Sequence, residues 1–303
     1  MISLQSIAKT GLAAAAAATL LAMTAGAAQA ACELSIEPAS TQWIVPYDPF
    51  TDDAAVRQFD VAMVNLGDSD CRGSIHIDLN GELFGLAQAG RSGRVLYSLV
   101  DEGSGTDVTP RAGQNPRGLN ARPVRLSPGE RGLFRFSLVA APGELLSRGT
   151  YTQTAILSVR DPRDLPLDEQ PLVLGIEVAS AAVMGLSGEF RRSARGAIID
   201  LGELTPGPKP LAASLYVHST GGYIVSISSA NRGRMRLGST EWYLNYSLGV
   251  GDRAANLASS DSFSVVTNEA REDNYPLSVS IGEVSGKRAG AYSDVVTFTV
   301  AAM

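Results

Sequence analysis

Two histidines and two cysteines are the side chains of this 303-residue sequence best suited to chemistry. His76 alternates with Ile75 and Ile77 in GSIHIDL (73–79), and His218 sits in LYVHST (215–220). Both lie in apolar–polar alternation, the pattern of a strand residue rather than of a base held beside a nucleophile. No G-x-S-x-G elbow, H-E-x-x-H, C-x-x-C, G-x-G-x-x-G or phosphate loop occurs. DEGSGTD (101–107) is acidic and glycine-rich but lacks the ligand spacing of a calcium loop, so it reads as a solvated turn. The expectation is a protein that binds rather than catalyses, with no cofactor and no metal.

The cysteines speak to compartment. Lys9, the apolar stretch from Gly11 to Ala25 and the small-x-small site Ala28-Gln29-Ala30 form the three parts of a secretory signal peptide. No later stretch is apolar and long enough to span a bilayer. Cleavage leaves residues 31–303, of a size for two domains. The acidic balance, formally −6 over the whole sequence, argues against a nucleic-acid partner. In an oxidising compartment Cys32 and Cys71 are expected to pair. Closing the loop between them would contribute roughly 4 kcal/mol in the chain-entropy model.

The elements that position these residues read as strands. Short runs rich in Val, Thr and Ser are punctuated by Gly or Pro: Gly73 to Leu79, Arg94 to Val100, Arg131 to Val139 and Thr150 to Val159. This pattern predicts an all-β sandwich. Asp101 to Gly129 reads as a long surface excursion or as strands that the pattern does not resolve.

The chain repeats. GSIHIDL, with Ile75, matches GYIVSIS, with Ile224, and VLYSL, with Tyr97, matches LNYSL, with Tyr246, at the same spacing. RGTYTQTAILSV (148–159) aligns without gaps to AGAYSDVVTFTV (289–300). Tyr151, Ala155, Leu157 and Val159 share one face at period two, as do Tyr292, Val296, Phe298 and Val300. The expected domains are 31–180 and 181–303, after a leader at 1–30. PLVLGIEV (171–178) either completes the first domain or opens the second.

The G-x-Y-[ST]-x-x-x-x-x-x-V strand resembles the spore coat protein U-like domain, which also builds pilins of the archaic chaperone–usher pathway. Cys32, Tyr47 to Pro49, Cys71 and Leu96-Tyr97-Ser98-Leu99 follow the family's order. The resemblance implies two tandem immunoglobulin-like β-sandwich domains, the second lacking its last strand. It implies export with a periplasmic chaperone and an usher, and display on a cell-surface pilus. An adjacent subunit would supply the missing strand to a groove lined by Tyr292, Val296, Phe298 and Val300. In this family the donated strand precedes the first cysteine. Only Ala31 separates the cleavage site from Cys32, so the expectation is a tip subunit that accepts a strand.

A tip subunit would contact an abiotic or host surface through apolar loops. TQWIVPYDPF (41–50) offers Trp43, Ile44, Val45 and Phe50; GELFGLAQAG (81–90) offers Phe84 and Leu86. Tyr47 is expected in the core, and for Trp43 and Phe84 the core is an equal alternative. Two other functions compete with the tip adhesin. One is a minor structural pilin or spore-coat-U-like secreted protein. The other is a secreted enzyme or carbohydrate-binding module on the same scaffold.

Overall fold

The computed structural model describes residues 32–111, 122–194 and 196–303. The leader reading lies outside the described residues, as does the middle of the 101–129 excursion. Strand alternation extends through nearly every described segment, because period-two apolar residues can be buried together only on one face of a pleated strand. The first domain begins with β1 (Leu34–Pro38), β2 (Gln42–Tyr47), β3 (Ala55–Asn65) and β4 (Cys71–Asp78). Next come β5 (Leu86–Ala87), β6 (Arg94–Val95), β7 (Tyr97–Asp101) and β8 (Thr106–Asp107). It ends with β9 (Arg122–Leu126), β10 (Arg131–Ala140), β11 (Gly149–Arg160) and β12 (Pro166–Val178).

The second domain opens with β13 (Ala182–Gly188), β14 (Arg191–Ser193), β15 (Gly196–Ile198) and β16 (Gly207–Ser219). It continues with β17 (Tyr223–Ser229), β18 (Arg234–Leu237), β19 (Tyr243–Val250) and β20 (Arg253–Ala255). It closes with β21 (Asp261–Val265), β22 (Arg271–Ile281), β23 (Tyr292–Ser293) and β24 (Val296–Ala302).

Each domain is an immunoglobulin-like sandwich of two sheets, and the fold is all-β. In the first, β1-β3-β10-β7-β8 faces β2-β12-β11-β4-β9. In the second, β13-β16-β22-β19-β18-β23 faces β21-β17-β24. Each sandwich encloses its own core, one between Leu34 and Val178 and one centred on residues from Leu215 to Ile281. Trp43 anchors the first, fully buried and stacked on Phe59 at 5.1 Å and Phe136 at 5.7 Å. Cys32 and Cys71 are disulfide-bonded, with Cα atoms 5.0 Å apart, and join the start of β4 to a residue just ahead of β1.

PLVLGIEV completes the first domain. β12 runs antiparallel along the whole of β11, and β2 adds to its far edge in parallel. Leu172, Leu174, Ile176 and Val178 are buried, each contributing roughly 1.5–3 kcal/mol by leaving water.

The repeat appears in the hydrogen bonds. Tyr151 donates its hydroxyl to the Ser147 carbonyl at 2.9 Å, and Tyr292 donates to the Arg288 carbonyl at 3.0 Å, each four residues back. This is the corner that tyrosines make at the start of such strands. Gly149 and Gly290, two residues earlier, have φ of 125° and 148°, which explains the glycine in each G-x-Y. One sequence match shifts by a residue. Ile75 pairs with Val159, whereas Val300 pairs with Val225. The counterpart of Ile75 is therefore Val225, not Ile224, because a one-residue slip would turn every side chain to the wrong face.

Candidate functional site

β11 and β24 are two copies of one strand in different company. β11 lies between β4 and β12, and Ala155, Leu157 and Val159 are at most 1 % exposed. β24 pairs with β17 along one edge, and among the described residues no strand pairs with its other edge. Val296, Phe298 and Val300 point inward and pack on the core, yet each is only half-buried, and Ala302 continues their face of the strand. In the first domain β12 and β2 occupy the place beside this strand; the second has no counterpart to either among the described residues. β13 stands across the gap, and its Met184 and Leu186 are also half-buried against the core. The result is an apolar groove bounded by a strand edge with unpaired backbone groups, the arrangement that accepts an added strand.

Tyr292 packs against the same core as these residues but lies beyond a break in the strand. The strand breaks at Asp294–Val295, and Tyr292 pairs instead with Leu237 of β18. Asp294 occupies an inward position and cannot be buried without partners. Its carboxylate accepts from the Ser229 hydroxyl at 2.6 Å, the Tyr246 hydroxyl at 2.7 Å and the Asn231 N–H at 3.0 Å. Burial and this carboxylate raise the Tyr246 pKa, so the phenol remains a donor. In the first domain the aligned pair is Tyr97 and Gln153, bonded at 2.9 Å, and burial again raises the tyrosine's pKa. Ala302, at the far end of β24, joins the groove although the repeat alignment ends before it.

The expectation of exposed apolar loops in the first domain is corrected for Trp43, Val45 and Leu86. QWIVPY is not a loop but β2, with Trp43 and Val45 turned into the core and Ile44 on the other face. Leu86 is fully buried in β5, opposite Val95. Phe84 is half-buried with its ring 5.0 Å from Tyr97, and Phe50 is half-buried in the turn after β2. The alternation of QWIVPY carried the signal, and its parallel pairing with β12 explains the burial. The large apolar side chains that do face solvent include Leu66 and Leu165, 61 % and 58 % exposed. They lie in turns at the end of the first domain opposite the second.

His76 is buried in β4, where its Nε2 lies 2.7 Å from the Ser74 hydroxyl. Burial first, then Arg160, lowers its pKa, which favours a neutral structural imidazole. His218 is half-buried in β16, its ring 5.2 Å from that of Tyr216.

The end of β24 reaches the first domain. The Met303 carbonyl accepts from the Arg148 guanidinium and, at 2.8 Å, from the Ser180 hydroxyl. Arg148 also donates to the Asn268 side chain at 2.9 Å, and its backbone N–H donates to the Thr220 carbonyl at 2.8 Å. Arg91 donates to the Asn268 carbonyl at 2.8 Å.

No protein-family model matches the chain. No curated protein matches it. Among solved structures it is similar to the chaperone–tip adhesion subunit pre-assembly complex of archaic chaperone-usher Csu pili of Acinetobacter baumannii. That match has 14% identity and a TM-score of 0.47, and covers 88% of this chain and 99% of that one. It is similar to the adhesive subunit of CFA/I fimbria of enterotoxigenic Escherichia coli at 10% identity and a TM-score of 0.31, covering 88% and 81%. It is also similar to the CooA pilin subunit from enterotoxigenic Escherichia coli at 8% identity and a TM-score of 0.32, covering 48% and 97%.

Proposed function

We propose that this protein is a tip subunit, an adhesin, of a chaperone–usher-type pilus. Its second domain accepts a strand along β24, first from a periplasmic chaperone and then from the adjacent subunit delivered through the usher. Its first domain, already complete, attaches to an abiotic or host surface. The contrast between β11 and β24 carries this reading. The first domain holds a strand of its own in the place that the second leaves open. The resemblance of the G-x-Y-[ST] strand and its upstream motifs to the spore coat protein U-like family supports the class.

The mechanism is strand addition. Backbone groups on the free edge of β24 give register-independent attraction, and the half-buried Val296, Phe298 and Val300 select apolar side chains at alternate positions. Covering them removes apolar surface from water, at about 25 cal/mol per Å². The attachment surface assigned to the first domain is the end that carries Leu66 and Leu165.

The test compares the chain with one extended beyond Met303 by a flexible linker and an apolar strand. Hydrogen exchange should show residues 223–229 and 296–302 labile in the first and strongly protected in the second. Equal protection in both would mean that β24 needs no partner, and the strand-accepting role would fall. Leu66→Ser with Leu165→Ser should abolish surface attachment without altering assembly; retained attachment would move the adhesive site elsewhere.

A further inference from the structure

The two walls of the open groove meet at one end. β13 starts at Ala182 and β24 ends at Ala302, and both of these ends lie beside the first domain. Ser180, two residues ahead of β13, donates its hydroxyl to the carbonyl of Met303, which follows β24, at 2.8 Å. The Arg148 guanidinium, on the segment leading into β11, donates to the same carbonyl. The joint behind them is firm. Thr220 is fully buried, its hydroxyl donating to the Ala179 carbonyl and accepting the Ala181 N–H, both at 2.9 Å. The Met303 side chain packs on the same turn, where a Cβ at Gly222 would lie 2.8 Å from its Cε. At the other end the walls are held to their own sheets. There the Glu189 N–H donates to the Ala212 carbonyl at 2.6 Å, and the Ala230 N–H donates to the Val295 carbonyl at 2.9 Å.

Backbone direction shows how much strand the edge takes. The Met303 N–H donates to the Gly222 carbonyl at 2.8 Å, so Met303 and Val295 both turn their backbone groups toward β17. In an antiparallel pair such groups alternate along the strand. Val296, Phe298, Val300 and Ala302 therefore turn theirs to the free edge. A strand laid there in the sense that β12 has on β11 places its first residue beside Ala302 and runs out past Val296. Beyond Ala302 it cannot continue straight. A strand takes about 4.8 Å beside its neighbour, and Ser180 already holds the end of β24 at hydrogen-bond distance. A longer strand must break the joint or bend sharply away.

We propose that this joint is the stop that sets the register of the added strand. The free N-terminal end of the donated strand abuts Ser180, Arg148 and Met303, and the body of the donor lies beyond Val296. The inference rests on the strand-accepting reading under Proposed function. Apolar faces and backbone pairing alone leave the register open, because a slip of two residues returns every side chain to its own face. Arg148 and Ser180 are positioning residues in this sense, acting on the end of β24 and through it on the strand.

The experiment uses the whole chain with Thr299→Cys and synthetic eleven-residue strands of alternating valine and threonine, valine first. Thr299 faces solvent on β24, and both natural cysteines are already paired, so the new thiol is the free one. Such a strand can cover Val296–Ala302 in several registers that differ only in how far it overhangs the joint. In each strand one threonine, the fourth, sixth or eighth residue, is replaced by cysteine, and disulfide yields are compared. With the first residue stopped beside Ala302, the fourth faces residue 299. The fourth position should cross-link about fivefold more than the sixth or eighth, the effect of one ordinary hydrogen bond. Arg148→Ala with Ser180→Ala should bring the three yields together. Yields that are equal in the chain with its joint intact, or greatest at the sixth or eighth position, would overturn the stop and leave the groove standing. A fourth-position preference that survives the double substitution would also overturn it, since the register would then be set elsewhere. Cross-linking at none of the positions would overturn the strand-accepting reading, and the stop with it.

Discussion

Leu157 and Phe298 hold the same place in two copies of one strand, yet Leu157 is 1 % exposed and Phe298 is only half-buried. The difference is β12, which covers the first copy. Leu157→Ala should therefore cost the first domain about 2–5 kcal/mol, the range for an aliphatic side chain deleted from a packed core. Phe298→Ala should cost the isolated chain less than that, and cost more once a strand is bound. Denaturant unfolding of both variants, with and without an appended strand, checks the pair; equal costs in the isolated chain contradict it.

The disulfide ties the first residues of the first domain to β4, and residues 181–303 contain no cysteine. Replacing Cys32 and Cys71 by serine should destabilise the first domain by about 2–5 kcal/mol. The second domain's unfolding should be unmoved. Two-transition calorimetry would show whether the loss is confined in this way.

Asp101 sets an acid limit on the first domain. Burial raises its pKa, but the Arg122 guanidinium at 2.6 and 2.7 Å, the Ser104 hydroxyl at 2.5 Å and the Gly103 N–H at 3.0 Å together pull it below the ordinary carboxylate range. A folded-state pKa below the unfolded one gives stability that is full above about pH 4 and lost as pH falls through the folded value. Stability of the first domain should decline from about pH 4 downward. Arg122→Met removes the main donor that opposes burial and brings the folded pKa up toward or past the unfolded one, so the acid decline should shrink, with the variant's loss of stability greatest near neutral pH. Urea unfolding from neutral to acid pH is the measurement, and an unchanged acid decline in the variant would count against it.

Arg148 links the two domains by donating to Met303 and Asn268 at once. Arg148→Ala should loosen the joint without unfolding either sandwich. Hydrogen exchange should rise at residues 220–222 and 267–270 and at the end of β24, while the two cores keep their protection. A uniform rise would mean that the arginine supports the fold and not the joint.

Much of this was legible in the residues. Period-two alternation identified the strands, and the G-x-Y-[ST] repeat identified the duplication, because glycine backbone freedom and a tyrosine corner are local requirements. The cysteine pair came from compartment and count. The open edge was expected only from the family resemblance, because alternation gives each residue's face and not which strands flank it.

Partners decided the rest. Alternation says that Trp43 and Val45 share a face, but only the parallel pairing of β2 with β12 turns that face inward. The alignment of Ile75 with Ile224 scored well by type, and only the cross-strand register showed Val225 to be the counterpart. Asp294 broke the expected strand because Tyr246, distant in sequence, offered a hydroxyl at its inward position. Arg148, Ser180 and Met303 lie in three separate stretches, and the closing of both sandwiches gathers them. Sequence dictates what each short segment prefers over its own few residues. Which segments meet depends on burying apolar faces from the whole chain together, and that is settled only when the sheets close.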